Sequence, residues 1–339
     1  MHTRTILVGF LLISLLTACS RPAVKAPSTG PVSTGPESSG PVSTGKAFKV
    51  AMLLPRTIEA DGWTRSGYRG LLLIQKELGA GIAYTENAQA ADFEKLFRSY
   101  AGEGYNFVIG HGAQFIEAAK KAATDFPHTS FAVAGQYKGN NSNLGALSMR
   151  EGEMAYLFGV IAAIKTKARQ VAYLGGTENP SSHEIAKSFI SGARATDPSV
   201  QVKVEWVGSF TDAAKARQLA QGLIDGGTDV ILVLAGMAGT EVHAQAQKAG
   251  IFTFGWIEDQ SHLAPKAVIS SNVQDVPGML LQGAALAKEG RWEGKQYRFG
   301  MAEGIQRLAP FNGLVTADEE RRINSARNDL LTGKIDATR

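Results

Sequence analysis

The chain has 339 residues, with 35 Lys and Arg against 31 Asp and Glu, and its formal charge of +4 is spread over interleaved signs. No basic run offers the continuous phosphate-neutralising surface that nucleic acid requires, so nucleic acid is excluded as a partner. A single cysteine, Cys19, leaves no internal disulfide and no cysteine metal site, so packing must supply the stability.

The N-terminus reads Arg4, an apolar stretch from Ile6 to Leu16, and then Leu16-Thr17-Ala18-Cys19. This is the pattern of a signal peptide, residues 1–18, that ends in a lipobox with Cys19 as the lipidated residue. Its apolar core is about half of the ~20 residues that a spanning helix needs, which predicts a cleaved segment. Residues 19–46 are rich in Pro, Ser, Thr and Gly, with Ser-Thr-Gly-Pro at 28–31 and 33–36 and Ser-Ser-Gly-Pro at 38–41. So little apolar mass cannot offset the entropy of ordering, and a disordered tether with a reach of roughly 25–30 Å is expected. About 290 residues remain for the folded part, enough for two domains.

From Val50 onward short apolar runs alternate with amphipathic helical patterns. Strands are predicted at 50–54, 82–85, 107–110 and 131–134, and the helices between them carry apolar faces such as Tyr68, Leu71, Leu72 and Leu78. Residues 151–165 are apolar on nearly every side, as in a helix buried between layers. The alternation then restarts with strands at 171–174, 202–207, 230–234, 252–256 and 268–271. A helix from 277 to about 289 follows, and a last helix opens on a Thr316-to-Glu319 capping box and closes on Gly333. Strict alternation implies parallel strands with crossover helices, hence an α/β chain of two doubly wound, Rossmann-like lobes. The first lobe is expected to comprise 47–147 plus 275–295, and the second 148–274 plus 296–339.

Enzymatic signatures are missing: there is no GxSxG, HExxH, Walker loop or GxGxxG after the first strand. Gly175-Gly176 and Gly226-Gly227 read as turns. His111 follows a strand in a way that aims it at a cleft, whereas His128, His183 and His262 read as loop or helix residues. Glu258 and Asp259 are conceivable as an acid–base pair, but neighbours usually point apart; ligand hydrogen bonding or helix capping is the favoured role. Trp63, directly after a strand end and flanked by Gly62 and Arg65, suits a stacking platform; the alternative is packing on the start of its own helix.

A series of short motifs adds to this reading. They are Asp61-Gly62-Trp63-Thr64-Arg65-Ser66-Gly67-Tyr68-Arg69-Gly70, Glu86-Asn87, Ala91-Asp92-Phe93-Glu94, Val108-Ile109-Gly110-His111-Gly112, Gly208-Ser209-Phe210-Thr211-Asp212 and Gly255-Trp256-Ile257-Glu258-Asp259-Gln260. In this order they resemble the basic membrane protein family of lipoproteins, purine-nucleoside-receptor-like substrate-binding proteins of ABC importers. The likeness spans about 48–275. It implies a type I periplasmic-binding fold with a hinge and central cleft, and a purine base held between aromatic rings. The family's aspartate and aromatic fall on Asp61 and Trp63, and a second aspartate on Asp92 or, closer to its strand, Asn87. The second stacking aromatic falls on His243, in the segment that begins Ala235-Gly236-Met237. Ile257 stands where the family has an aspartate, leaving Glu258 or Asp259 to substitute, and Gln274 stands where a lysine is usual. With His111 and Trp256, these residues make the expected ligand set.

The expectation is therefore an importer's solute receptor for a purine nucleoside, free base or related heterocycle. It needs no cofactor or metal and is anchored to a membrane by lipid, facing the periplasm or cell exterior, as a monomer that docks on an ABC permease. A sensor that docks on a membrane regulator is the alternative, and a nucleoside-processing surface enzyme is a third.

Overall fold

The structure, a computed structural model, describes residues 47–60 and 62–337. Cys19, the signal segment, the tether and Asp61 lie outside the described residues. The first half of the chain forms β1 (Lys49–Leu53), α1 (Gly62–Leu78), β2 (Gly81–Thr85), α2 (Phe93–Gly102), β3 (Phe107–Gly110), α3 (Ile116–Asp125), β4 (Ser130–Ala134) and β5 (Leu144–Met149). There follow α4 (Glu151–Lys165), β6 (Gln170–Gly175), α5 (Pro180–Thr196), β7 (Gln201–Trp206), α6 (Ala213–Asp225), β8 (Val230–Leu234), α7 (Thr240–Ala249), β9 (Phe252–Ile257) and β10 (Val268–Gln274). The chain ends with α8 (Val276–Lys288), β11 (Gln296–Phe299), β12 (Gln306–Leu308) and α9 (Ala317–Leu331).

Two six-stranded sheets result, ordered β11-β5-β4-β3-β1-β2 and β12-β10-β9-β8-β6-β7. The first is parallel throughout; in the second, β12 alone runs antiparallel, against β10. Helices cover both faces, so central strands such as β3 and β5 are buried at every position. That double burial is why they read as continuous apolar runs and not as alternating ones.

The chain passes between the sheets three times, after β5, after β10 and after β11. Arg150 ties these crossings together. Its guanidinium donates to the Arg298 carbonyl at 2.7 Å and pairs with Glu153 at 2.5 Å and with Glu303. Its own carbonyl accepts from Gln306 at 3.0 Å, and the Asp275 amide donates to the Ile305 carbonyl at 2.8 Å.

One boundary differs from the sequence reading, which put everything from 296 onward in the second lobe. Gln296–Phe299 pairs with Ala146–Met149, so β11 completes the first sheet. Trp292 draws this segment there, since its ring meets Phe107 at 5.0 Å and Tyr297 at 4.9 Å while its indole nitrogen donates to the Asn143 carbonyl at 3.1 Å. β5, β11 and β12 were not anticipated as strands. Gly175 and Gly176, read as turn formers, instead make room for aromatic rings: a Cβ on either would lie 2.3 Å from the ring of Trp206 or Phe210 respectively.

α4 is buried on nearly all sides, as expected, and packs on α5 with backbones in close approach. A Cβ at Gly159 would sit 2.1 Å from the Phe189 carbonyl oxygen, and one at Gly192 would sit 2.0 Å from that of Tyr156. The capping box of α9 forms as its spacing predicts, with the Thr316 and Glu319 side chains each accepting the other's amide.

Candidate functional site

A cavity of about 510 Å³ opens where the carboxyl ends of the strands of both sheets converge. The first lobe contributes Pro55 and Arg56 after β1 and Gly62 and Trp63 at the start of α1. From the second lobe come Glu151, residues of the turns after β6 to β9, and Gln274 at the end of β10.

Trp63 is held from behind. Its ring stacks on His111 at 4.2 Å and 15°, and His111 Nε2 donates to the Trp63 carbonyl at 2.9 Å. His111 is fully buried and does not line the cavity, so where a ligand contact was expected it instead backs the Trp63 ring. The stack needs Gly67, where a Cβ would fall 2.6 Å from the imidazole.

Phe210 lines the cavity from the second lobe, 42% exposed, and was not singled out from the sequence. Gly176 backs one side of its ring, and Gly236, at φ +57°, leaves 3.3 Å on another. The readable signal was an aromatic in a Gly-Ser-x-Thr-Asp loop directly after a strand. Met237, 44% exposed, and the largely buried Trp256 complete the apolar lining.

His243 reaches the cavity but is only 1% exposed, and its Nδ1 lies 2.9 Å from Thr253 Oγ1. Burial pulls its pKa down to about 4 against a smaller opposing effect of a hydrogen bond with Gln260, so the ring is neutral near pH 7. An imidazole so deeply buried leaves little open surface towards the cavity, where the family resemblance implied a stacking aromatic.

The polar lining gathers at one end. Glu151 accepts from Ser181 and is pushed up from the ordinary carboxylate range by burial. Gln274, 8% exposed, reaches towards the Glu151 carboxylate with its side-chain amide. Glu258 lines the cavity, whereas Asp259 does not: its carboxylate accepts the Ser261 amide at 3.0 Å, turned into the following helical turn. The two acids therefore do not form a pair. Between them and the strand, Ile257 adopts φ +75°, costly for a β-branched residue and a feature that clusters at ligand clamps. Asn87 and Asp92 are exposed and lie outside the cavity, so neither takes the expected ligand position. No metal-ligating cluster and no helix long and apolar enough to cross a membrane occur among the described residues.

Residues 47–335 match the family model Bmp, described as ABC transporter substrate-binding protein PnrA-like. The chain belongs to the Bmp family. Its relatives include the transcriptional activator protein med of Bacillus subtilis (strain 168), 28% identical with 82% of this chain and 87% of that protein covered. A nucleoside-binding BmpA of Lactococcus lactis is 25% identical over 80% of this chain and 84% of its own length. A purine-binding protein of Brucella abortus (strain 2308) is 29% identical, with 81% and 80% covered. Among solved structures, a transcriptional activator of the comK gene from Bacillus halodurans superposes with a TM-score of 0.72 at 23% identity, covering 85% of this chain and 99% of that one. A solute-binding protein from Aeropyrum pernix K1 gives 0.71 at 18%, covering 85% and 92%. These likenesses give the Bmp-family chain a type I periplasmic-binding fold and a substrate-binding, non-catalytic family.

Proposed function

We propose that this Bmp-family protein captures a purine nucleoside, a purine base or a closely related planar heterocycle in the interlobe cavity and passes it to an ABC permease, held at the membrane by lipid on Cys19. The observation that carries this reading is the cavity itself. At about 510 Å³ it is of a size for a nucleoside-sized solute, with Trp63 on one lobe and Phe210 and Trp256 on the other. Glu258, Gln274, Glu151 and Ser181 supply the hydrogen-bonding end, where Glu258 and Gln274 take the roles that an aspartate and a lysine have in relatives.

Mass spectrometry of the solute that co-purifies with the protein, followed by calorimetric titration with nucleosides, bases, sugars and amino acids, tests the reading. Binding within the purine panel and recovery of the ligand unchanged are expected. Binding of a sugar or amino acid with no purine affinity would sink it. Steady product formation lost on Glu258→Gln would transfer support to an enzyme. Cys19→Ala should move the protein from the membrane fraction to the soluble one, and its retention in the pellet would remove the anchor. The similarity to med favours one second reading, a receptor that reports ligand to a regulator; affinity capture of the ligand-loaded protein separates this from a permease partner.

A further inference from the structure

Behind the first cavity lies a second chamber of about 400 Å³, and the two share Gly62, Ile257, Glu258 and Gln274 in their walls. The second chamber has a different chemistry. Arg65 and Arg69, one helical turn apart on α1, face it from the first lobe, and Arg307 of β12 faces it from the second. Like charges at this i, i+4 spacing repel by a few tenths of a kcal/mol unless something between them answers the charge. Among the described residues Arg65 donates to the Glu59 carbonyl, at 3.4 Å, while Arg69 and Arg307, both exposed, have no ion pair or hydrogen bond.

Two carboxylates line the same space. Asp275 is engaged, since it accepts the Gly278 amide at 2.9 Å to cap α8. Glu258 stands at the boundary with the first cavity, so among the described residues three arginines and one carboxylate not engaged in capping line this space. At that boundary Gln274 presents its buried side-chain amide, which also reaches towards the Glu151 carboxylate. Gly62, having no side chain, keeps the opening clear; a Cβ there would meet only Glu258 Oε1, at 3.8 Å.

We propose that the second chamber is a subsite for an anionic substituent, of the phosphate monoester class, carried by the same ligand whose ring occupies the first cavity. The guanidinium fork matches phosphate oxygens in bidentate geometry, and Gln274 donates to the linking oxygen or to the sugar that bridges the chambers. Arg65 and Arg69 come from one lobe and Arg307 from the other, so the anion would hold the lobes together. This inference rests on the heterocycle reading of the first cavity.

Calorimetric titration of the purified full chain with guanosine, adenosine, their 5′-monophosphates and inorganic phosphate tests it, repeated on Arg69→Gln/Arg307→Gln. The ratio of nucleoside to monophosphate dissociation constants is the readout, so that any effect common to both ligands cancels. The monophosphate should bind about tenfold or more tightly than its nucleoside, and that advantage should shrink with added salt and approach unity in the double variant. Inorganic phosphate that competes with the monophosphate and not with the nucleoside would support the same subsite. A monophosphate that binds no better than its nucleoside, or an advantage that survives the double variant, would overturn it. Phosphate binding with no monophosphate advantage would overturn it in favour of a separate free-anion site. Failure of every purine compound while another solute binds would remove the heterocycle reading and this one together; nucleoside binding without a phosphate effect would remove this one alone.

Discussion

The two lobes share a strand order and contribute very unequally to the cavity. Each sheet places its first strand second from one end, flanked by its second and third, and takes its last strand from the C-terminal part of the chain. Yet among the described residues of the cavity lining, Pro55, Arg56, Gly62 and Trp63 come from the first lobe and the remainder from the second. The first lobe provides one supported aromatic and the second a basin. A common topology fixes where a cleft lies, and the residues at the strand ends decide which side of it does the recognising.

The sharpest way to test the contrast is through the helix pairs. α4 and α5 touch backbone to backbone in the second lobe, so Gly192→Ala should destabilise by about 3 kcal/mol or more, read as a lowered denaturation midpoint. In the first lobe a Cβ at Gly70 meets first a Leu280 methyl at 2.6 Å, which can rotate away, and Gly70→Ala should cost about 1–2 kcal/mol. Equal costs would show that the two lobes are packed alike.

The pH dependence comes next in size. With its native pKa near 4 and an unfolded value of 6.5, His243 stays neutral where the unfolded chain takes up a proton. Stability contributed by this group is full above about pH 6.5 and falls as pH drops towards 4, by about 3 kcal/mol in total. His243→Phe should flatten that part of a stability-against-pH curve, and an unchanged curve would assign the acid response elsewhere.

Across the cleft, Trp63→Ala and Phe210→Ala should each weaken purine binding by roughly 1–3 kcal/mol, about five- to 150-fold. Trp63→Phe should lose less. A Trp63→Ala protein with lower thermal stability and unaltered affinity would leave Trp63 a packing residue. The smallest effect is expected at Asp92, outside the cavity: Asp92→Ala should leave affinity within about twofold, and a larger loss would return it to the ligand set.

What the sequence disclosed follows from the range of its signals. Apolar runs and helical faces are local, so the central strands, α4 and the α9 capping box were legible. β5 lies in a stretch broken by Asn and Gly, and β11 and β12 are short edge strands whose pairing partners lie far off in the chain, so none announced itself. Of the residues singled out by strand-end position and by the family resemblance, Trp63, Gly236, Met237, His243, Trp256, Glu258 and Gln274 line the cavity. His111, Asn87, Asp92 and Asp259 fall outside that lining, because sequence position after a strand does not reveal whether a side chain turns inward, outward or onto a neighbour. Phe210 escaped notice since its exposure depends on Gly176 and Gly236, far from it in the chain and meaningful only once the turns converge.

The stack of Trp63 on His111 bears on when order is imposed. An indole clamped on one face by a buried imidazole, whose nitrogen also holds the Trp63 carbonyl, has little rotamer freedom left to lose when a ligand arrives. Immobilising such a side chain costs roughly 0.5–1.5 kcal/mol, and here that cost falls on folding and not on association. The platform is therefore set by the fold itself, so that a ring of the proposed ligand settling on Trp63 would lose its own freedom and almost none of the protein's.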